Sequence, residues 1–415
     1  MRRINFWGEV SLVALFGICS RGCAIKSDPA PMGAGGESGA SGASGASGAG
    51  GTAGATGTGG AGGTGGATGT GGAGGTSATG PTTMCSDQGT VPAAPAAGMA
   101  KAPCDIYAEE GGPCVAAHST VRSLFATYDG PLYQVKKSDG STKDIKPLVA
   151  GGFANSADQD TFCGDEACTI SKLYDQSGKG NHLTKGPPGG NKPTEDKEAK
   201  ANALPVTFSG HKVYGLHVVP GVGYRDNTPC GTATGDDAET EYMVAAGDVY
   251  NGACCFDYGN METSSRDDGE GTMEAVYFGN CTIWGKGAGE GPWVMGDLEN
   301  GLWAGNSTPY DKSLPIKFKF VTAMVKGDAA GKNHWTIKSG DAQSGALTTP
   351  FDGTRPSDRY KTMRKQGAVG LGTGGDNTAS DTGNFFEGVM TAKYSSDKAD
   401  DAVQANIVTA YTQTP

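Results

Sequence analysis

From Gly33 to about Gly80 the chain is almost wholly Gly, Ala, Ser and Thr, in loose repeats such as Gly42-Ala-Ser-Gly and Gly59-Gly-Ala-Gly-Gly-Thr. Such a stretch has no apolar surface to bury, so a core has to come from the residues that follow it. A flexible tether of this composition has a root-mean-square span of roughly 40 Å, enough to hold a domain away from a membrane or wall. Whole-chain averages are skewed by it, because it supplies much of the total of 71 glycines. The expected organisation is an export segment at 1–23, a tether at 24–100 and one folded domain at 101–415. The domain's roughly 310 residues suffice for one large β domain.

Arg2 and Arg3 precede the apolar run Val10-Ser-Leu-Val-Ala-Leu-Phe-Gly-Ile18. That run is too short to span a bilayer and has the length of a signal-peptide core, so the chain is expected to be secreted or held at the cell surface. Cys19 and Cys23 are both candidate lipid acceptors, although Ile18 and Arg21 fit a lipobox poorly. The formal charge of −11, with no Lys/Arg cluster in the domain, argues against nucleic acid or another polyanion as partner and suits a neutral or weakly charged ligand.

Past Cys104, short alternating runs recur between Gly, Asp and Asn turns: Met273–Phe278, Lys317–Val325, Trp335–Lys338 and Phe385–Met390. This period of two predicts an all-β sandwich. Helical spacing at Val121/Leu124/Phe125/Tyr128 and at Val403/Ile407/Val408/Tyr411 predicts two helices on its outside, the second opened by a cap at Ser396.

Nine of the 11 cysteines lie beyond the export segment. Cys254 and Cys255 are neighbours; a bond between them closes a strained eight-membered ring, whereas distant partners or burial as small apolar residues would leave no ring. Spacing does not choose between these outcomes. Cys104 with Cys114 and Cys163 with Cys168 read as short loops closed by local bridges. Cys230 and Cys281 are left as a pair, with Cys85 over. The five histidines make no ligand set at metal-binding spacing, so no metal is expected.

Gly370-Leu-Gly-Thr-Gly-Gly375 satisfies a dinucleotide fingerprint, but the residues after it are loop-like where a helix is required. Gly327-Asp-Ala-Ala-Gly-Lys332 is one residue short of a phosphate loop, and no G-x-S-x-G elbow occurs in the domain, so no cofactor is expected. What remains is carboxylate chemistry in a β-sandwich, which points to sugars: a glycosidic bond can be cleaved between one protonated and one ionised carboxyl.

Among 44 acidic residues, local context favours a few. Asp297 and Glu299 lie two apart, so on a strand both would face one side. Trp284 and Trp293 could wall a sugar ring, and Asp376 lies in a Gly-rich turn that lets a ligand approach the backbone.

Several longer motifs then occur in order: Cys104-Asp-Ile-Tyr, Gly-Pro-Cys114-Val-Ala-Ala-His-Ser-Thr, Leu132-Tyr-Gln-Val, Tyr174-Asp-Gln-Ser-Gly-Lys-Gly-Asn-His-Leu183, Cys254-Cys-Phe-Asp-Tyr-Gly-Asn260, Met273–Gly279, Asp297-Leu-Glu-Asn-Gly301 and Val403-Gln-Ala-Asn-Ile407. From Cys104 to Tyr411 the chain resembles the catalytic domain of family 54 glycoside hydrolases, the α-L-arabinofuranosidases.

The resemblance implies a β-sandwich of the concanavalin-like or jelly-roll type and a retaining enzyme. Its substrates would be terminal arabinofuranose on arabinan, arabinoxylan and related oligosaccharides. It implies Glu299 as nucleophile, Asp376 as general acid/base, and Cys254, Cys255, Trp284, Asp297, Asn300 and Gly375 as sugar-contacting positions. It also implies a Cys254–Cys255 ring and the bridges Cys104–Cys114 and Cys163–Cys168. The two carboxyl groups are expected about 5–5.5 Å apart, Glu299 ionised and Asp376 protonated. A monomer without cofactor is expected. Fungal members carry a C-terminal arabinose-binding module, so targeting to polymer is expected to differ here. The alternative is a surface protein that binds such polymers without cutting them.

Overall fold

The computed structural model describes residue 85 and residues 89–412. The expected export segment with Cys19 and Cys23, and the tether up to residue 84, lie outside the described residues. Between 89 and 100 the chain is extended coil, and Thr127 Oγ1 donates to the Ala93 carbonyl at 2.6 Å.

Alternation of apolar residues produces two large antiparallel sheets, packed face to face as an all-β sandwich. One has seven strands and runs in the order 114–119, 383–391, 239–246, 320–327, 334–341 and 344–354, with 216–218 also paired to 383–391. The other has ten strands, in the order 302–303, 293–297, 274–279, 257–261, 368–371, 224–226, 183–185, 169–173, 133–136 and 142–145. Met243, Ala245, Ala323 and Phe385 from the first face Tyr258, Val276, Phe278 and Leu371 from the second, with Phe385 packed on Tyr258, whereas Tyr242, Val244 and Met324 line the opposite face of the first sheet. All four runs read as strands are strands.

Strands 239–246 and 320–327 are buried along their whole length. The reason is the helix Asp397–Tyr411, whose Val403, Ile407 and Tyr411 are buried on that opposite face. Ser396 caps it as expected, accepting from the Ala399 N–H at 3.1 Å. Asp400 docks the helix by accepting from Lys326 Nζ and Lys338 Nζ, each at 2.7 Å.

The other expected helix does not form. Val121, Leu124 and Phe125 are buried, but the segment is a loop whose backbone donors are taken up by the adjacent Ser119 and by Gln176 and Asp105 from remote parts of the chain. Ser119 Oγ accepts from the Val121 and Arg122 N–H groups, Gln176 from Leu124, and Asp105 from Ala126. Arg122 itself reaches inward to a bidentate pair with Glu387, at 2.6 and 2.7 Å. Helices form instead at Pro103–Glu109 and Ser156–Cys163, which periodicity did not indicate.

Bridges Cys104–Cys114, Cys163–Cys168 and Cys254–Cys255 are present. The expected Cys230–Cys281 bridge is not: Cys230 is bonded to Cys85, 145 residues away, and Cys281 is buried beneath the cysteine pair. Folding of the intervening strands, rather than spacing, sets that pairing.

Glu387 is fully buried and also accepts from Tyr242 Oη and Tyr411 Oη. Glu387→Ala strands a buried guanidinium and is expected to cost about 3–5 kcal/mol in urea unfolding. Lys101→Ala, which removes an exposed pair with Glu109, should cost no more than about 1 kcal/mol.

Candidate active site

Strands 257–261 and 368–371 are antiparallel neighbours with Tyr258 opposite Leu371, so the segment leaving 368–371 runs beside Cys254–Phe256, which lead into 257–261. Strand 368–371 runs into the turn Gly372–Asn377, which folds back beside the cysteine pair. The fit there is tight. A Cβ on Gly374 would lie 3.2 Å from Cys255 Sγ, and one on Gly375 would lie 1.9 Å from Glu262 Oε2 and 2.6 Å from Glu299 Oε2.

The Gly-rich stretch is therefore a close-approach turn, followed by coil. Asp376 is held by its Oδ1, which accepts from the Thr378 N–H at 2.8 Å and from Thr378 Oγ1 at 2.5 Å.

Asp297 and Glu299 do not share a strand face, as alternation had suggested. The strand ends at Asp297, and Leu298–Gly301 form a two-residue hairpin turn with Glu299 at φ 60° and Asn300 at φ 56°. Positive φ at both central residues gives the turn that matches strand twist, at a conformational cost for a glutamate. Asp297 Oδ1 supports it by accepting from the Glu299 N–H at 3.1 Å, and Asn300 Nδ2 donates to Asp267 at 3.0 Å. Thus Glu299 and Asp297 are brought together by a turn instead of a strand.

The vicinal disulfide closes across a cis peptide, with Cα atoms 3.0 Å apart. Cys254 and Cys255 form a small apolar cluster with Tyr277, Cys281, Met295 and Trp293, against which half-buried Trp284 packs. Trp293 is fully buried, its Nε1 donating to the Ala288 carbonyl at 2.8 Å, so it belongs to the core and not to a sugar wall. Cys255, Asp297, Glu299, Gly375 and Asp376 converge, with Trp284 beside the cysteine pair.

Three groups beside this turn escaped the sequence reading. Asp257 lies inside the quoted Cys254–Asn260 motif but was not singled out; Glu262 follows the same strand; Arg225 comes from the neighbouring strand 224–226. Arg225 Nη1 donates to the Gly374 and Gly375 carbonyls at 2.7 and 3.0 Å, and Nη2 to the Glu262 carbonyl at 2.5 Å. Burial draws its guanidinium down to about 10, against the opposing pull of Glu262, Asp196, Asp376 and Glu299.

Burial, aided by the charges of Asp297 and Asp381, holds Asp257 well above the usual carboxylate range. Asp297 is pushed up to about 7, chiefly by burial. Glu299 is pushed up to about 12 by burial and then by charge on Glu262, Asp297 and Asp267. Negative charge can rest on Glu299 only when its acidic neighbours are neutral.

Fold and site together define an antiparallel β-sandwich with a carboxylate cluster walled by a vicinal disulfide and a tryptophan. Residues 103–413 match the family model described as alpha-L-arabinofuranosidase B, catalytic, and the chain belongs to that family, glycoside hydrolase family 54. It is 54% identical over 319 residues to a probable alpha-L-arabinofuranosidase B of Aspergillus terreus, covering 75% of this chain and 62% of that relative. It is 55% identical to an alpha-L-arabinofuranosidase of Hypocrea jecorina, over 75% of this chain and 63% of that one. An arabinofuranosidase crystallised with arabinofuranosyl-alpha-1,2-xylobiose superimposes with a TM-score of 0.72 at 50% identity, over 75% of this chain and 65% of the other. The chain thus spans about 62% of the length of these curated relatives.

Asp381 anchors the site from behind, accepting from the Phe256 N–H at 3.1 Å, and burial raises it to about 7. Its folded value lies above the unfolded one near 3.9, so its contribution is fully present below about pH 4 and is lost as pH rises towards 7. Asp381→Asn should therefore flatten the fall of urea stability over that window, by up to about 1.4 kcal/mol per pH unit.

Proposed function

We propose that this protein is an exo-acting, retaining α-L-arabinofuranosidase that removes terminal α-L-arabinofuranosyl residues from arabinan, arabinoxylan and related oligosaccharides. The observation that carries this reading is the approach of Gly375 to Glu299, which sets the Asp376 turn against the Glu299 turn beneath the cysteine pair. The relative crystallised with an arabinofuranosyl xylobiose supports the substrate class.

In this reading a Glu299 carboxylate oxygen attacks the anomeric carbon while Asp376 gives its proton to the glycosidic oxygen. The carbon–oxygen bond breaks, its electron pair leaves with the aglycone, and a glycosyl ester forms on Glu299. Water then gives a proton to Asp376 and attacks the same carbon, releasing arabinose with net retention and restoring both carboxyls. Asp297 and Asn300 bind ring hydroxyls, the Gly375 backbone lies close to the sugar, and the disulfide edge with Trp284 offers an apolar wall. The enzyme is read as an exported monomer, with Cys19 or Cys23 as lipid acceptor; mass spectrometry of the mature N-terminus checks the anchor.

Release of nitrophenol from p-nitrophenyl α-L-arabinofuranoside tests the activity. Glu299→Gln is expected to abolish it, and Asp376→Asn to lower it by about 10²–10⁴-fold. Equal rates in wild type and Glu299→Gln, or none in either, would overturn the reading in favour of a binding protein. Gly375→Ala, whose methyl would collide with both glutamates, should lose roughly 10²-fold in kcat/KM.

A further inference from the structure

We infer that Glu262 is a neutral carboxylic acid in the resting site, its proton donated to Thr272, and that it serves as the positioning residue that leaves the negative charge on Glu299. The second half of this statement rests on the proposed role of Glu299; the first does not.

Glu262 is fully buried, just past strand 257–261. Thr272 Oγ1 lies 2.5 Å from Glu262 Oε1 and 2.6 Å from the Gly269 carbonyl oxygen. A threonine hydroxyl carries one proton, and a backbone carbonyl can only accept. An ionised Glu262 can also only accept. One proton would then have to serve two contacts, each at the short end of the range for a full hydrogen bond.

Treating Thr272 as donor to Glu262 would lower that carboxyl, but it sets the Gly269 oxygen against a hydroxyl lone pair at 2.6 Å. With the proton on Glu262 Oε1, the carboxyl donates to Thr272 and Thr272 donates to Gly269. Each contact then has its own proton.

The other oxygen agrees. Glu262 Oε2 is buried and points at Gly375 beside Glu299 Oε2, and the Glu299 carboxyl is hydrogen-bonded to Glu262. Two carboxyls facing each other in a buried site cannot both be ionised, and a neutral Glu262 presents only a carbonyl oxygen to Glu299.

The groups facing Glu262 reinforce this. Glu299, Asp297 and Asp257 are acids, and the guanidinium of Arg225 binds the Glu262 backbone carbonyl, not its carboxyl. Burial raises the Glu262 carboxyl in the same direction. Neutral Glu262 also removes the foremost charge that resists ionisation of Glu299.

The test is an infrared difference spectrum of wild type minus Glu262→Gln at neutral pH. Loss of a protonated-carboxyl C=O band is expected; loss of carboxylate bands instead overturns the inference. Gln keeps a donor towards Thr272, so the fold should persist. Should it fail to fold, Thr272→Val decides the matter: the protonated band is expected to move to higher frequency, and an unmoved band counts against the proposal.

In the active enzyme, the acid limb of kcat/KM against pH should shift by less than about 0.3 unit in Glu262→Gln, because no charge is removed from beside Glu299. A shift of a unit or more to lower pH overturns it. The spectra do not depend on turnover, so failure of this inference is distinguishable from failure of the proposed activity.

Discussion

No side chain fits on the turn at residues 374 and 375, and the site depends on that. The backbone there lies against Cys255 Sγ on one side and the carboxyls of Glu262 and Glu299 on the other. Only hydrogen atoms on these two Cα positions let the Asp376 segment come down against Cys255 and the two glutamates. Arg225 holds it there by donating to three backbone carbonyls on both sides of the gap. A guanidinium committed to carbonyls leaves the nearby carboxyls without a full counter-ion, so protons have to compensate them.

That constraint explains the crowding of acids. Asp257, Glu262, Asp297 and Glu299 are almost wholly withdrawn from water. Such a group cannot hold four charges, and its members share protons according to the hydrogen bonds each can make. Asp257 sits beside Asp297, Glu262 beside Thr272, and Asp297 takes up the N–H of Glu299. The apolar cluster of cysteine pair, Tyr277 and Met295 excludes water from the same side, which strengthens each of these interactions.

The rest of the sandwich keeps the sheet beneath the site in place. A capped helix docks through Asp400 on two buried lysines, and Arg122 pairs with Glu387 beneath it. These buried pairs fix which loops lie where, and they convert an apparently helical stretch at 121–128 into a loop whose backbone donors are met by Ser119, Gln176 and Asp105.

What the sequence determined by itself was local or carried by long motifs. Alternation marked strands such as 320–327 and 383–391, since a half-buried pleat writes a period of two into the chain. Ser396 announced its helix because a cap acts within one turn. The motif around Asp297–Gly301 and the glycines before Asp376 pointed to residues that do meet.

Tertiary structure decided the rest. Helical spacing of apolar residues gave a loop at Val121 and a helix at Val403, because Gln176 and Asp105 take backbone donors from the first segment. Cys230 found Cys85 across 145 residues, a pairing no spacing encodes. Asp257, Glu262 and Arg225 look ordinary in one dimension; they matter because neighbouring strands bring three separate segments to the same few ångströms, where burial and shared protons set their chemistry.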